Sequence, residues 1–149
     1  MSVLERASLH ASAFLMAATG LIYGWLRYFG QRLGDFGPEP HPLQSLLQHL
    51  HVLSAPLLVF TLGMLLRGHV QPMLRRRPPV GKRTGLGSIF TVAPMVLAGY
   101  GVQVAVDPAW RTVLAWIHGV ASLAFLAGYL GHLARTREQA RRDREAGLD

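Results

Sequence analysis

The 149-residue chain contains no cysteine. That removes covalent haem attachment through C-x-x-C-H, thiolate-held iron–sulfur clusters and any disulfide framework. Acid is scarce as well, with eight Asp and Glu against fifteen Lys and Arg. None of those eight (Glu5, Asp35, Glu39, Asp107, Glu138, Asp143, Glu145, Asp149) falls inside the long apolar runs Leu9–Phe29, about Leu46–Leu66, Leu86–Val106 and Val113–Leu133. Each run is near the ~20 residues that cross a bilayer as a helix. A soluble bundle needs a charged outer face on every helix, and no run has one. The expected fold is therefore all-α: an integral membrane four-helix bundle over residues 1–134, followed by a charged tail at 135–149. The first run is too long for a signal-peptide core and no A-x-A-like cleavage site follows it, so it counts as span one.

Twelve of the fifteen basic residues lie on one side if four spans alternate: Arg6, Arg67, Arg75, Arg76, Arg77, Lys82, Arg83 and five arginines from Arg135 to Arg144. Arg27, Arg32 and Arg111 lie on the other. Positive charge stays inside, so both termini and the 67–85 loop are expected in the cytoplasm, in a multi-pass protein of the cytoplasmic (inner) membrane. The charge is explained by topology, and a nucleic-acid partner is not expected.

Pro38, Pro40 and Pro42 with Gly34 and Gly37 make the segment Gly30–Ser45 a non-helical outer loop. Pro56 bends span two, span three carries Pro94 and the small-residue pair Gly99/Gly101, and Pro72, Pro78, Pro79 and Gly81 break the cytoplasmic loop. Asp107-Pro108 is a helix-start signature that opens span four. Trp25, Tyr28, Trp110 and Trp116 gather toward the outer interface, as an aromatic belt does. From Arg135, basic and acidic residues at helical spacing continue span four as a solvated helix.

Histidine carries the chemistry. His118 and His132 are 14 residues apart in one apolar stretch, so on a helix they share a face and stand roughly 21 Å apart along the axis. With the N-terminus inside, His51 lies at the outer depth of His118, and His10 at the inner depth of His132. Ionisable residues inside spans are costly and mark function. Two imidazoles from different helices at one depth supply the axial ligands of a six-coordinate b-type haem. His49, about 200° around the helix from His51, is expected at the interface, and His41 in water. His69 is the alternative inner ligand. It lies about 27 Å from His51 and overshoots the roughly 21 Å of span four, so spacing favours His10. That leaves Arg67 and His69 to a haem propionate, a quinone carbonyl or lipid. Ala13, Ala17, Gly20 and Gly24 make a shallow stripe beside His10, which serves a flat macrocycle or plain helix packing equally. Phe125 and Tyr129 lie on the histidine face of span four.

One His early on span one (Leu9-His10-Ala11), one early on span two (His49-Leu50-His51), none on span three and two on span four (Trp116-Ile117-His118-Gly119 and Gly131-His132-Leu133) is a telling pattern. It resembles the di-haem cytochrome b subunits of membrane-bound formate dehydrogenases and hydrogenases, within the cytochrome b561-like superfamily. The likeness covers about Leu9 to Arg135, in a chain shorter than typical members. It implies one haem b between His51 and His118 and a second between His10 and His132. It further implies electron transport in a respiratory chain, between a redox partner protein and a quinone, with quinone oxidation or reduction as the only bond-making chemistry. Two other classes are weighed against it. A small proton- or cation-coupled transporter with a histidine relay is disfavoured by the lack of any intramembrane carboxylate. A structural or assembly subunit with incidental histidines is disfavoured by their matched depths.

Overall fold

Ser2 starts the first helix, α1 (Val3–Tyr28), through a reciprocal cap. Its hydroxyl accepts from the Glu5 N–H at 3.1 Å, and the Glu5 carboxylate accepts from the Ser2 N–H at 2.8 Å. Two otherwise orphaned donors are satisfied this way, and α1 begins well before the apolar run at Leu9. The computed structural model describes residues 2–72 and 82–147, the side chains of His69 and of residues 82–85 excepted. The prolines at 78 and 79 and the glycine at 81 therefore lie outside the described residues.

The segment between the first two long helices is more ordered than its prolines suggest. Strands β1 (Arg32–Gly34) and β2 (Gly37–Glu39) pair antiparallel, with Leu33 opposite Pro38. Gly37 takes φ +120°, which side-chain-bearing residues rarely adopt. Gly34 lies under the Glu39 side chain, where a Cβ would collide. Two glycines around Asp35-Phe36 thus permit a tight reversal. Three-residue strands are too short for alternation to announce.

Helix α2 (Leu43–Leu65) contains Pro56, which cannot donate to the Val52 carbonyl, and passes into a π turn at Leu66–Val70. Helix α3 (Lys82–Val104) contains Pro94. Helix α4 (Pro108–Glu145) runs 38 residues from the Asp107 cap, whose Oδ1 accepts from the Trp110 N–H at 2.9 Å. Arg111 closes the α3–α4 turn by donating to the Ala105 carbonyl from Nη2 at 2.7 Å and Nε at 3.2 Å. The residues from Arg135 onward belong to the same helix, with Glu138 bridged to Arg141 and Arg142.

The chain divides into two units, Met1–Arg75 and Arg76–Asp149, each built on a helical hairpin. In the first, Met16 meets Ser54, Thr19 and Gly20 meet His51, and Gly68 meets Glu5. In the second, Ser88 meets Gly128, Gly99 meets His118, and Gly101 meets Leu114. Both pairs are antiparallel. Small and hydroxyl residues make up most of the buried positions, Ser12, Ala13, Thr19, Ser54, Thr61, Ser88 and Ala98 among them, beside Leu58, Leu65, Met95 and Phe125. Backbones approach closely at such residues, which is how helices associate where no hydrophobic driving force separates helix from solvent. Their hydroxyls bond to their own helix, as Ser54 does to the Leu50 carbonyl at 2.7 Å and Thr61 to Leu57 at 2.8 Å. No buried side-chain polar atom lacks a partner among the described residues.

The outward surface is the reverse of a soluble protein's. Phe14 is 76% exposed, Leu53 76% and Phe90 77%. Apolar surface on that scale needs a covering phase, and lipid supplies it. All four helices are long and apolar enough to cross a membrane, which makes this a multi-pass helical membrane protein.

Candidate functional site

The His51 imidazole lies in the α1–α2 contact, with Nδ1 3.0 Å from Thr19 Oγ1. Thr19 has already committed its hydrogen: the hydroxyl donates to the Leu15 carbonyl at 2.8 Å, as a buried helical threonine commonly does. With that hydrogen on the Leu15 carbonyl, the Thr19 oxygen is left to accept, and the matching tautomer of His51 has its proton on Nδ1. Gly20 makes room for the ring, since a Cβ there would stand 2.8 Å from His51 Cε1 and 3.2 Å from Nδ1.

The second hairpin repeats the device with a different acceptor. His118 Nδ1 lies 2.8 Å from the Met95 carbonyl. A carbonyl can only accept, so this nitrogen is also protonated. Gly99 gives the ring access, because a Cβ would stand 2.9 Å from His118 Nδ1. In both imidazoles a proton on Nδ1 leaves the lone pair on Nε2, one of the two tautomers in which histidine can ligate a metal. Metal-bound histidines ordinarily hold their other nitrogen in this way.

His10 is half-buried on α1. Around that helix, Met16, Thr19 and Gly20 meet α2, and His10 stands about 130° from their mean direction. It therefore faces away from its own hairpin partner. His51 sits level with Thr19, so His10 is nine residues, or about 14 Å, from the depth of His51. The corresponding step from His118 to His132 is about 21 Å. His132 is half-buried on the α4 face that carries His118. The His69 side chain lies outside the described residues; its backbone belongs to the π turn, beside Gly68, which is near Glu5.

The remaining sequence candidates separate by environment. The His51 ring covers Gly20, so that part of the stripe is helix packing, whereas nothing lies within 4 Å of a Cβ built on Gly24. Phe125 is buried and its ring stacks on Tyr129 at 6.3 Å and 9°. His49 is exposed. His41 is half-buried, and its Nδ1 accepts from the Leu43 N–H at 3.2 Å at the start of α2. Sequence reasoning missed Thr19, Gly99 and the Met95 carbonyl. The signal for the first was a hydroxyl beside a glycine, Thr19-Gly20, inside an apolar span.

Among the described residues no three His, Asp or Glu side chains converge as a metal-ion site would need. His51 and His118 are each set by their own helix pair. The class these features define is a helical multi-pass membrane protein with histidines inside its apolar helices. No protein-family model, curated protein or solved structure matches the chain.

Proposed function

We propose that the protein is a transmembrane electron carrier that binds two b-type haems through paired histidines, in a four-helix bundle with both termini in the cytoplasm. The observation that carries this reading is the matched setting of His51 and His118. Each is held through Nδ1 by the neighbouring helix, over a glycine, with the lone pair on Nε2. A histidine kept only to join two helices needs no such tautomer control at two separate places.

The settings of His51 and His118 fit the group. Haem b supplies a one-electron iron couple when bound. His51 and His118 would hold the outer one, and His10 and His132 the inner. The open surface at Gly24 offers room for a flat ring edge. Lipid on the apolar helix faces keeps water from the imidazoles, and burial with ligand identity then sets the potential. The four histidines and a +7 charge concentrated on the cytoplasmic side fit electron exchange between the quinone pool and a redox partner protein at the cytoplasmic membrane.

Haem content decides. A pyridine haemochrome assay on the protein reconstituted in lipid should give close to two haems b per chain. A reproducible ratio below one would overturn the reading. No bound haem at all would return the chain to the transporter or structural class.

A further inference from the structure

We infer that Thr19 is the positioning residue for the His51 imidazole and sets the redox balance of the site that His51 serves. The inference rests on the electron-carrier reading and goes beyond it, because it makes the two prepared histidines chemically unequal.

The inequality lies in the acceptors. His118 Nδ1 donates to a backbone carbonyl, Met95, at 2.8 Å. His51 Nδ1 donates to a hydroxyl, Thr19, at 3.0 Å. That hydroxyl points its own hydrogen at the Leu15 carbonyl, 2.8 Å away, with the Met16 carbonyl at 3.3 Å as a poorer second choice. The back-bond fixes the hydroxyl as an acceptor; without it, Oγ1 could donate to Nδ1 and drive the proton to Nε2, where no metal could bind. A helical threonine buried to 6% exposure has little freedom to turn otherwise. Thr19 therefore decides which nitrogen of His51 has the lone pair.

Acceptor strength is the second consequence. A hydrogen bond from Nδ1–H adds electron density to the ring and makes Nε2 more basic, favouring the oxidised metal. At His118 the acceptor is main chain and no side-chain substitution deletes it. At His51 the acceptor is a side chain, and one substitution alters it alone. The first hairpin thus holds the adjustable ligand and the second the fixed one.

Thr19→Val tests this with almost no change in volume, and Thr19→Ser restores the acceptor. In a redox titration of the reconstituted chain, Thr19→Val should shift one of two haem waves to more positive potential. The other wave should stay put and two haems per chain should remain. Thr19→Ser should return the shifted wave toward its wild-type position. Waves unmoved by Thr19→Val, at unchanged haem content, would overturn the role of Thr19 and leave the carrier reading intact. If the wild-type chain binds no haem, the carrier reading fails. Thr19 is then still tested by ¹⁵N-histidine NMR of the same chain, in which the His51 Nδ1–H signature should be lost in Thr19→Val and kept in Thr19→Ser. A signature kept in Thr19→Val would refute the inference.

Discussion

Gly99 and His118 compete for one volume: a Cβ on Gly99 would stand 2.9 Å from His118 Nδ1 and 3.0 Å from Cε1. The ring reaches the Met95 carbonyl only because residue 99 has no side chain. Neither atom group can retreat cheaply, since one is helix backbone and the other a ring held at 2.8 Å by its acceptor.

Gly99→Ala should therefore perturb the His118 site while leaving the helix itself better formed. Alanine gains about 1 kcal/mol of helix propensity over glycine, so circular dichroism should show no loss of helix. One low-spin haem signal should shift or vanish in electron paramagnetic resonance. Gly119→Ala is the control, because nothing lies within 4 Å of a Cβ there. Identical spectra for both variants would mean that the contact has no influence on ligation.

The four histidines should be separable. His118→Ala is expected to remove the outer haem and spare the inner, and His132→Ala to do the reverse. His10→Ala should abolish the inner low-spin signal, whereas His69→Ala should keep it and alter at most potential or quinone turnover. The step of about 14 Å between the depths of His10 and Thr19, against about 21 Å on α4, makes the inner pair the stricter test. Loss of the inner haem in His69→Ala alone would exchange the two roles.

Asp107→Ala should loosen the first turn of α4. The variant removes the 2.9 Å cap on the Trp110 N–H and should cost about 1 kcal/mol, with Asp107→Asn costing much less. Hydrogen exchange at the Trp110 amide is the direct readout. It should accelerate in the alanine variant and stay slow in the asparagine one.

The charged end of α4 should respond to acid. The hydrogen bond from Arg142 to the Glu138 carboxylate, helped by the charge of Arg141, lowers its pKa from the ordinary 4.5. A depressed carboxylate pKa contributes stability above the unfolded value, lost as pH falls through the folded one. Helix content of the last three turns should therefore be level from neutral pH to about 5 and decline below about 4. High salt should weaken the same bridges at neutral pH, since they are exposed. In Glu138→Gln the acid dependence should be much reduced; an unchanged profile would place the titrating group elsewhere.

Much of the fold was legible because its determinants are local. The Asp107-Pro108 signature predicted the start of α4, and Asp107 is its cap. The apolar runs located all four long helices, since their length and composition need no tertiary context. The start of α1 was equally legible in Ser2-x-x-Glu5, but the apolar run drew the boundary to Leu9 although the cap sits earlier. The β1–β2 hairpin was hidden by brevity and by Pro38, which reads as a breaker yet is tolerated on an exposed strand. The partners of the candidate ligands were not legible at all. Periodicity assigns His51 and His118 to faces, but which atom meets Nδ1 depends on the register between helices. A backbone acceptor such as the Met95 carbonyl leaves no trace in residue identity.

Helix α4 has neither glycine nor proline between Leu133 and Ala146, and no break interrupts it from Pro108 to Glu145. Its final ten residues extend it by about 15 Å, more than the roughly 7 Å depth of one headgroup layer. The charged end is thus a stiff lever rather than a tether. The same unbroken rod carries both His118 and His132, so the direction of the tail is set by the direction of the span.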